Sequence, residues 1–261
     1  MNKKALLIIF SMLFANFALA ETASDYDWSK VLTRPSNRPK FEGNQILHFN
    51  SKNKHYLLDS KAQAFVETYL LNALSLTSDA EVLRFASESV TLDGGYLEMG
   101  VCTGKTVNYI AALNPTKKIY GFDSFEGLPE DWVKKDRVIP KGTFAFKNPN
   151  EMPYVLHNVY LYKGWFKESI PAFKRDLFNG SQLAFLHIDC DLYSSTVDAL
   201  RALEENIVPG TIIVFDEFYN YPGAENHEFK AFMEFLERTE LQAEYLAYNA
   251  YHEQVVVRIT H

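Results

Sequence analysis

The stretch Gly95-Tyr96-Leu97-Glu98-Met99-Gly100-Val101-Cys102-Thr103-Gly104-Lys105-Thr106 reads as a short apolar strand that ends at an acid, breaks into a glycine-containing turn and enters a helix. In open α/β sheets, ligands bind in the crevice at the carboxyl ends of such strands. The expectation for Gly100 is close approach of a ligand to the backbone, where a Cβ would collide with it. Gly104 frees the turn, and the first amides of the following helix favour a negative group. Glu98 offers an acceptor to an ammonium or hydroxyl, and Thr103 lies in the same loop. Strand-glycine-helix turns are common, so the remainder of the chain decides what this one does.

Downstream of it, strand and helix patterns alternate. Strands are expected at 118–123, 158–164, 183–189 and 211–216, with helices at 105–113, 170–178, about 197–207 and 229–236. The apolar run Leu183–Ile188 fits a strand buried on both faces. Residues 126–153 are rich in Pro, Gly and charge and read as a loop insertion with one helical turn, and 244–250 and 253–259 as a closing hairpin. Upstream, apolar spacing predicts a helix from Ala62 to Leu74, and Ser78-Asp79-Ala80-Glu81 is a capping box for a second. This pattern predicts a doubly wound, mostly parallel sheet of seven strands with an antiparallel C-terminal strand.

Composition bounds the rest. With 261 residues, 47% of them hydrophobic and 15% aromatic, the chain is sized for one α/β domain. A net charge of -7 argues against nucleic acid as a partner. Lys3 and Lys4, an apolar run to Phe17 and Ala18-Leu19-Ala20 together form a secretory signal peptide over 1–20, too short for a comfortable membrane span. The domain plan is then a leader (1–20), an extended arm or lid (21–60) and the α/β domain (61–261), with export to a periplasm or beyond; an unused signal leaves the protein in the cytoplasm. Cys102 and Cys190 form neither a disulfide framework nor a metal motif. They read as two reduced thiols, with a bridge at the crevice mouth as the alternative. The oligomeric state stays open, a homodimer included.

Four expected strands end in acids, Glu98, Asp123, Asp189 and Asp216, and the topology turns all four ends to one crevice. Asp123 follows Glu98 by 25 residues, close to the spacing at which an acid meets ribose hydroxyls; the competing reading is a helix N-cap. Asp189-Cys190-Asp191 and Asp216-Glu217 put carboxylates on two neighbouring strand ends. They suit Mg²⁺ or a similar hard cation, which lowers the pKa of a hydroxyl for a spare carboxylate to deprotonate. The alternative is acids capping helix N-termini. His187, inside a strand, reads as structural more readily than catalytic. Trp165 is either a stacking platform or a core aromatic.

Tyr96 to Gly104 resembles motif I of class I S-adenosylmethionine-dependent methyltransferases. Together with Gly121-Phe122-Asp123-Ser124-Phe125-Glu126-Gly127-Leu128-Pro129, Lys163-Gly164-Trp165-Phe166, His187-Ile188-Asp189-Cys190-Asp191-Leu192-Tyr193 and Phe215-Asp216-Glu217, it resembles the macrocin-type sugar O-methyltransferases over about 60–258. That resemblance implies a Rossmann-like methyltransferase fold and activity on a sugar-like or polyol hydroxyl, with S-adenosylmethionine and a divalent metal, usually Mg²⁺. It implies cofactor contacts at Glu98, Gly100, Thr103, Gly104, Asp123, Ser124 and Trp165. It assigns the metal to Asp189, Asp216 and Glu217 and the base to Asp189 or Asp191. Family members often carry two aspartates where this chain has Asp216-Glu217. Two other readings compete. Gly100 to Thr106 approaches a P-loop, but only three residues separate its glycines where the P-loop has four. An exported binding protein with this fold and no catalysis is the non-enzymatic alternative.

Overall fold

A computed structural model describes residues 60–134, 137–148 and 151–261. The leader and nearly all of the arm, 1–59, lie outside the described residues. The strands are β1 (Leu74–Leu76), β2 (Gly95–Met99), β3 (Ile119–Asp123), β4 (Trp132–Val133), β5 (Val138–Ile139), β6 (Val159–Lys163), β7 (Leu183–Ile188), β8 (Ile212–Phe215), β9 (Gln242–Asn249) and β10 (Val255–Thr260). The α-helices are α1 (Ser60–Phe65), α2 (Asp79–Glu88), α3 (Lys105–Leu113), α4 (Phe166–Phe173), α5 (Tyr193–Leu203) and α6 (Glu228–Thr239). Both α1 and α4 run on into π-helical turns, Val66–Leu70 and Lys174–Phe178.

Period-two patterning explains why β2 lies inside the sheet, between β7 and β3. Leu97 and Met99 point to one core, with α1, α4, α5 and α6; Tyr96 points to the other, with α2 and α3. In β8, Ile213 and Phe215 join the first core and Ile212 and Val214 the second. A strand with both faces apolar must be covered on both sides, and that is the doubly wound arrangement. The main sheet runs β1-β9-β10-β8-β7-β2-β3-β6.

The main sheet has eight strands, one more than expected. The addition is β1, which pairs parallel with β9 at the edge. Its Leu-Ser-Leu was absorbed into the helix expected to reach Leu74, because three residues carry too little periodicity to separate strand from helix. The antiparallel C-terminal strand is borne out as β10, which lies inside the sheet, between β8 and β9. The helical turn expected in 126–153 is replaced by the antiparallel ribbon β4–β5. The ribbon is held by long-range burial of Trp132, which packs with Leu128, Leu192, Tyr221 and Ala224. The capping box forms: Ser78 Oγ accepts from the Glu81 amide at 3.2 Å, and the Glu81 carboxylate reaches back to the Thr77 amide at 2.7 Å.

Backbone hydrogen bonds continue past the strand ends and align them. The Gly100 amide donates to the Phe122 carbonyl, Asp189 to Met99, Asp216 to Ile188 and Gly164 to Asp123, all at 2.8–2.9 Å. The turns after β2, β3, β6, β7 and β8 therefore leave the sheet at one level. Among the described residues, no helix is long and apolar enough to cross a membrane.

Candidate active site

The turns at these strand ends enclose a cavity of about 590 Å³. Thr103 lines it from the β2 turn, Asp123 and Ser124 from β3, Trp165 from the β6 turn, and Asp189, Asp191, Asp216 and Glu217 from the β7 and β8 ends. Trp165 is 36% exposed at the start of α4, so it is a cavity wall and not core.

Of the opening motif's other expected contacts, Gly100 lines the cavity, whereas Gly104 and Glu98 do not. A Cβ on Gly100 would stand 1.7 Å from the Asp189 carbonyl oxygen, at φ +92°. The neighbouring turn therefore demands glycine there, and Gly100 also lines the cavity. Gly104 does not line the cavity. Its φ of +82° starts α3, and an added Cβ would meet Pro153 and Tyr154. Glu98 is fully buried beneath the floor and also does not reach the cavity. It is the Cα partner of His187 across the β2–β7 ladder, so both side chains project from the same face. Glu98 Oε2 lies 3.3 Å from His187 Nδ1, and Oε1 accepts from Thr106 Oγ1 at 2.8 Å. Burial raises the Glu98 carboxyl, against the pull of His187 and Thr106. Burial also works against a charged His187, but the hydrogen bond and charge of Glu98, with the charges of Asp216 and Asp79, outweigh it and carry the imidazole up.

Asp123 fastens the motif loop. Its Oδ2 accepts from the Val101 and Cys102 amides at 2.9 and 2.7 Å, and Oδ1 from Phe125 at 2.7 Å. A carboxylate accepts at about four sites, so one remains open. Cys102 and Cys190 are both free thiols; Cys190 lies 3.5 Å from Thr196 Oγ1.

Acids dominate the far wall. Burial, then repulsion from Asp216 and other acids, pushes Asp189 and Glu217 well above the carboxylate range. Glu228, from α6, is raised likewise and accepts from the Glu217 amide at 3.0 Å. Asp191 is raised by burial and by Asp216 to about 7, with Lys134 pulling it down. Asp191 also sits at φ +62°, a conformation that costs a non-glycine residue free energy and collects at functional sites. Glu217 Oε2, Glu228 Oε1 and His187 Nε2 are buried without a hydrogen-bond partner. Ligand atoms of His187, Asp189 and Asp216 all lie within 4.8 Å of one another, and the group does not include Glu217. Repelling acids and orphaned donor atoms of hard oxygen and imidazole nitrogen fit a divalent cation.

A model of the family Macrocin-O-methyltransferase (TylF) matches residues 81–245. The chain belongs to this family. An 8-demethyl-8-(2,3-dimethoxy-alpha-L-rhamnosyl)-tetracenomycin-C 4'-O-methyltransferase of Streptomyces olivaceus is 29% identical over 157 residues, 52% of this chain and 58% of that protein. The chain thus matches little more than half the length of that curated relative. The fold is that of the calicheamicin methyltransferase CalS11, at a TM-score of 0.55 and 22% identity over 82% of this chain and 88% of that one.

Several site residues escaped sequence reading. Asp79 enters the cavity from the start of α2. Gln254, from the closing hairpin, donates to Asp216 Oδ1 at 2.9 Å. Lys134 lies on the faces of Trp132 and Tyr221, at 3.7 and 4.1 Å from the ring centroids, and 3.7 Å from Glu253. Only the capping box flagged Asp79; for the others no local signal exists.

Proposed function

We propose that this protein is an S-adenosylmethionine-dependent O-methyltransferase acting on a hydroxyl of a sugar-like or polyol acceptor, assisted by a divalent cation such as Mg²⁺. One observation carries the reading: the glycine-turn side and the acidic side of the family motifs meet in a single cavity. Thr103, Ser124 and Trp165, with the remaining acceptor site of Asp123, are the residues available to the cofactor. Asp189 and Asp216 are available to the cation, with Glu217 beside them. The bound cofactor would supply a methyl group activated on sulfonium, and the cation would ease loss of the acceptor's proton.

What remains falls to the chain. The cavity walls hold the acceptor oxygen in line with the methyl group, which removes most of the entropic cost of the encounter. Asp191 lines the cavity, and burial and Asp216 push its carboxyl up to about 7, which suits it to take up the acceptor proton. Incubation with methyl-labelled cofactor and a panel of glycosides and polyols, with and without chelator, tests this. Label should move to a hydroxyl, and Asp191→Asn should stop transfer while cofactor binding persists. No cofactor binding in a calorimetric titration would overturn the reading. Export through the leader is part of the proposal. Mass spectrometry of protein from intact cells should find a chain beginning at Glu21, and an intact Met1 would argue for the cytoplasm.

A further inference from the structure

Resting on the cation assignment above, we infer that His187 is itself a cation ligand, in place of Glu217, and that it shifts the site's preference from Mg²⁺ towards transition metals. The imidazole is fully buried on β7, with Nδ1 engaged by Glu98. That contact orients the ring, as a carboxylate behind a metal-ligating histidine does. Nε2 is left without a hydrogen-bond partner, 3.9 Å from Asp216 Oδ1. An imidazole nitrogen buried opposite a carboxylate and lacking a partner costs free energy unless an ion or proton sits between them.

The surroundings are built for the ion. Nε2 and the Asp189 and Asp216 oxygens lie within 4.8 Å of one another. Small side-chain rotations close that to the span of about 4 Å across an ion bound at about 2.1 Å. Behind each ligand stands a support: Thr106 and Glu98 behind His187, Gln254 behind Asp216, and the Met99 carbonyl taking the Asp189 amide. Mg²⁺ prefers all-oxygen shells, whereas one imidazole with carboxylates suits Mn²⁺, Fe²⁺, Co²⁺ or Zn²⁺. The P-loop-like glycine turn takes no part; the acid that ends its strand acts through the histidine.

Pulsed electron paramagnetic resonance of Mn²⁺ bound to the full chain reads a coordinated ¹⁴N directly. We expect ¹⁴N modulation in the wild-type protein, its loss in His187→Gln, and its persistence in Glu217→Gln. Glu98→Gln should weaken Mn²⁺ binding about tenfold or more. If His187→Gln does not fold, the six other histidines (His48, His55, His157, His227, His252 and His261) are changed to Gln singly, and retention of the signal in all six assigns it to His187. Mn²⁺ bound without ¹⁴N modulation, or modulation surviving in His187→Gln, overturns the histidine ligand and leaves the cation site standing. No Mn²⁺ or Mg²⁺ binding in calorimetry overturns both.

Discussion

At the scale of single residues, the acids of this site do different work from one another. Asp123 holds three backbone amides of the motif loop, so Asp123→Ala removes a structural clamp as well as a candidate ribose contact. We expect a loss of about 1–3 kcal/mol in urea unfolding and at least a severalfold weaker cofactor affinity by calorimetry. Lower stability with unchanged affinity would assign Asp123 to the loop alone. Asp191 carries a pH consequence. Its folded value of about 7 exceeds the value of about 3.9 in an unfolded chain. Between the two, the native state binds more protons, so stability is complete below about pH 4 and falls as pH rises through about 7. Asp189, Glu217 and Glu228 act in the same direction. The melting temperature of chelator-treated protein should fall from pH 5 to pH 8, and Asp191→Asn should flatten part of that slope. A melting temperature that rises over this range would contradict the repulsion described.

At the scale of elements, two close approaches hold the site together. The β2 and β7 turns touch through Gly100, where no Cβ fits. Gly100→Ala combines an overlap with backbone and an unfavourable φ, and should cost more than about 2 kcal/mol in denaturant unfolding. An alanine variant of wild-type stability would mean that the turns separate easily. The β4–β5 ribbon is pinned by Lys134, which is 4% exposed between two aromatic faces and Glu253. Lys134→Ala gives up cation–π and ionic contacts and should destabilise by about 1–3 kcal/mol, with Lys134→Arg recovering part. Equal stability of wild type and alanine variant would show the ribbon to be held by Trp132 burial alone.

At the scale of the whole molecule, the acid cluster couples cation binding to stability, because an ion bound only by the native state shifts unfolding by mass action. Millimolar Mn²⁺ should raise the melting temperature of the wild type and leave Asp216→Asn unmoved; an equal rise in both would place the ion elsewhere. Much of this architecture was legible in one dimension. The continuous apolar run of β7 read correctly as a buried parallel strand, β8 lies within its expected 211–216, and α3 fell at its expected Lys105–Leu113. The acids at the strand ends could be read because alternation of strand and helix dictates that those ends face one side. The sequence alone therefore determined the doubly wound fold, its crevice and its charge. Local pattern could not resolve β1 or the ribbon, both too short to carry a period and both held by distant partners. Nor could it tell that Glu98 turns away from the cavity, since that follows from the ladder register setting it beside His187. Which acids face the cavity, which face each other and which clamp a loop was decided by tertiary structure, because those roles depend on contacts between residues as much as 89 positions apart.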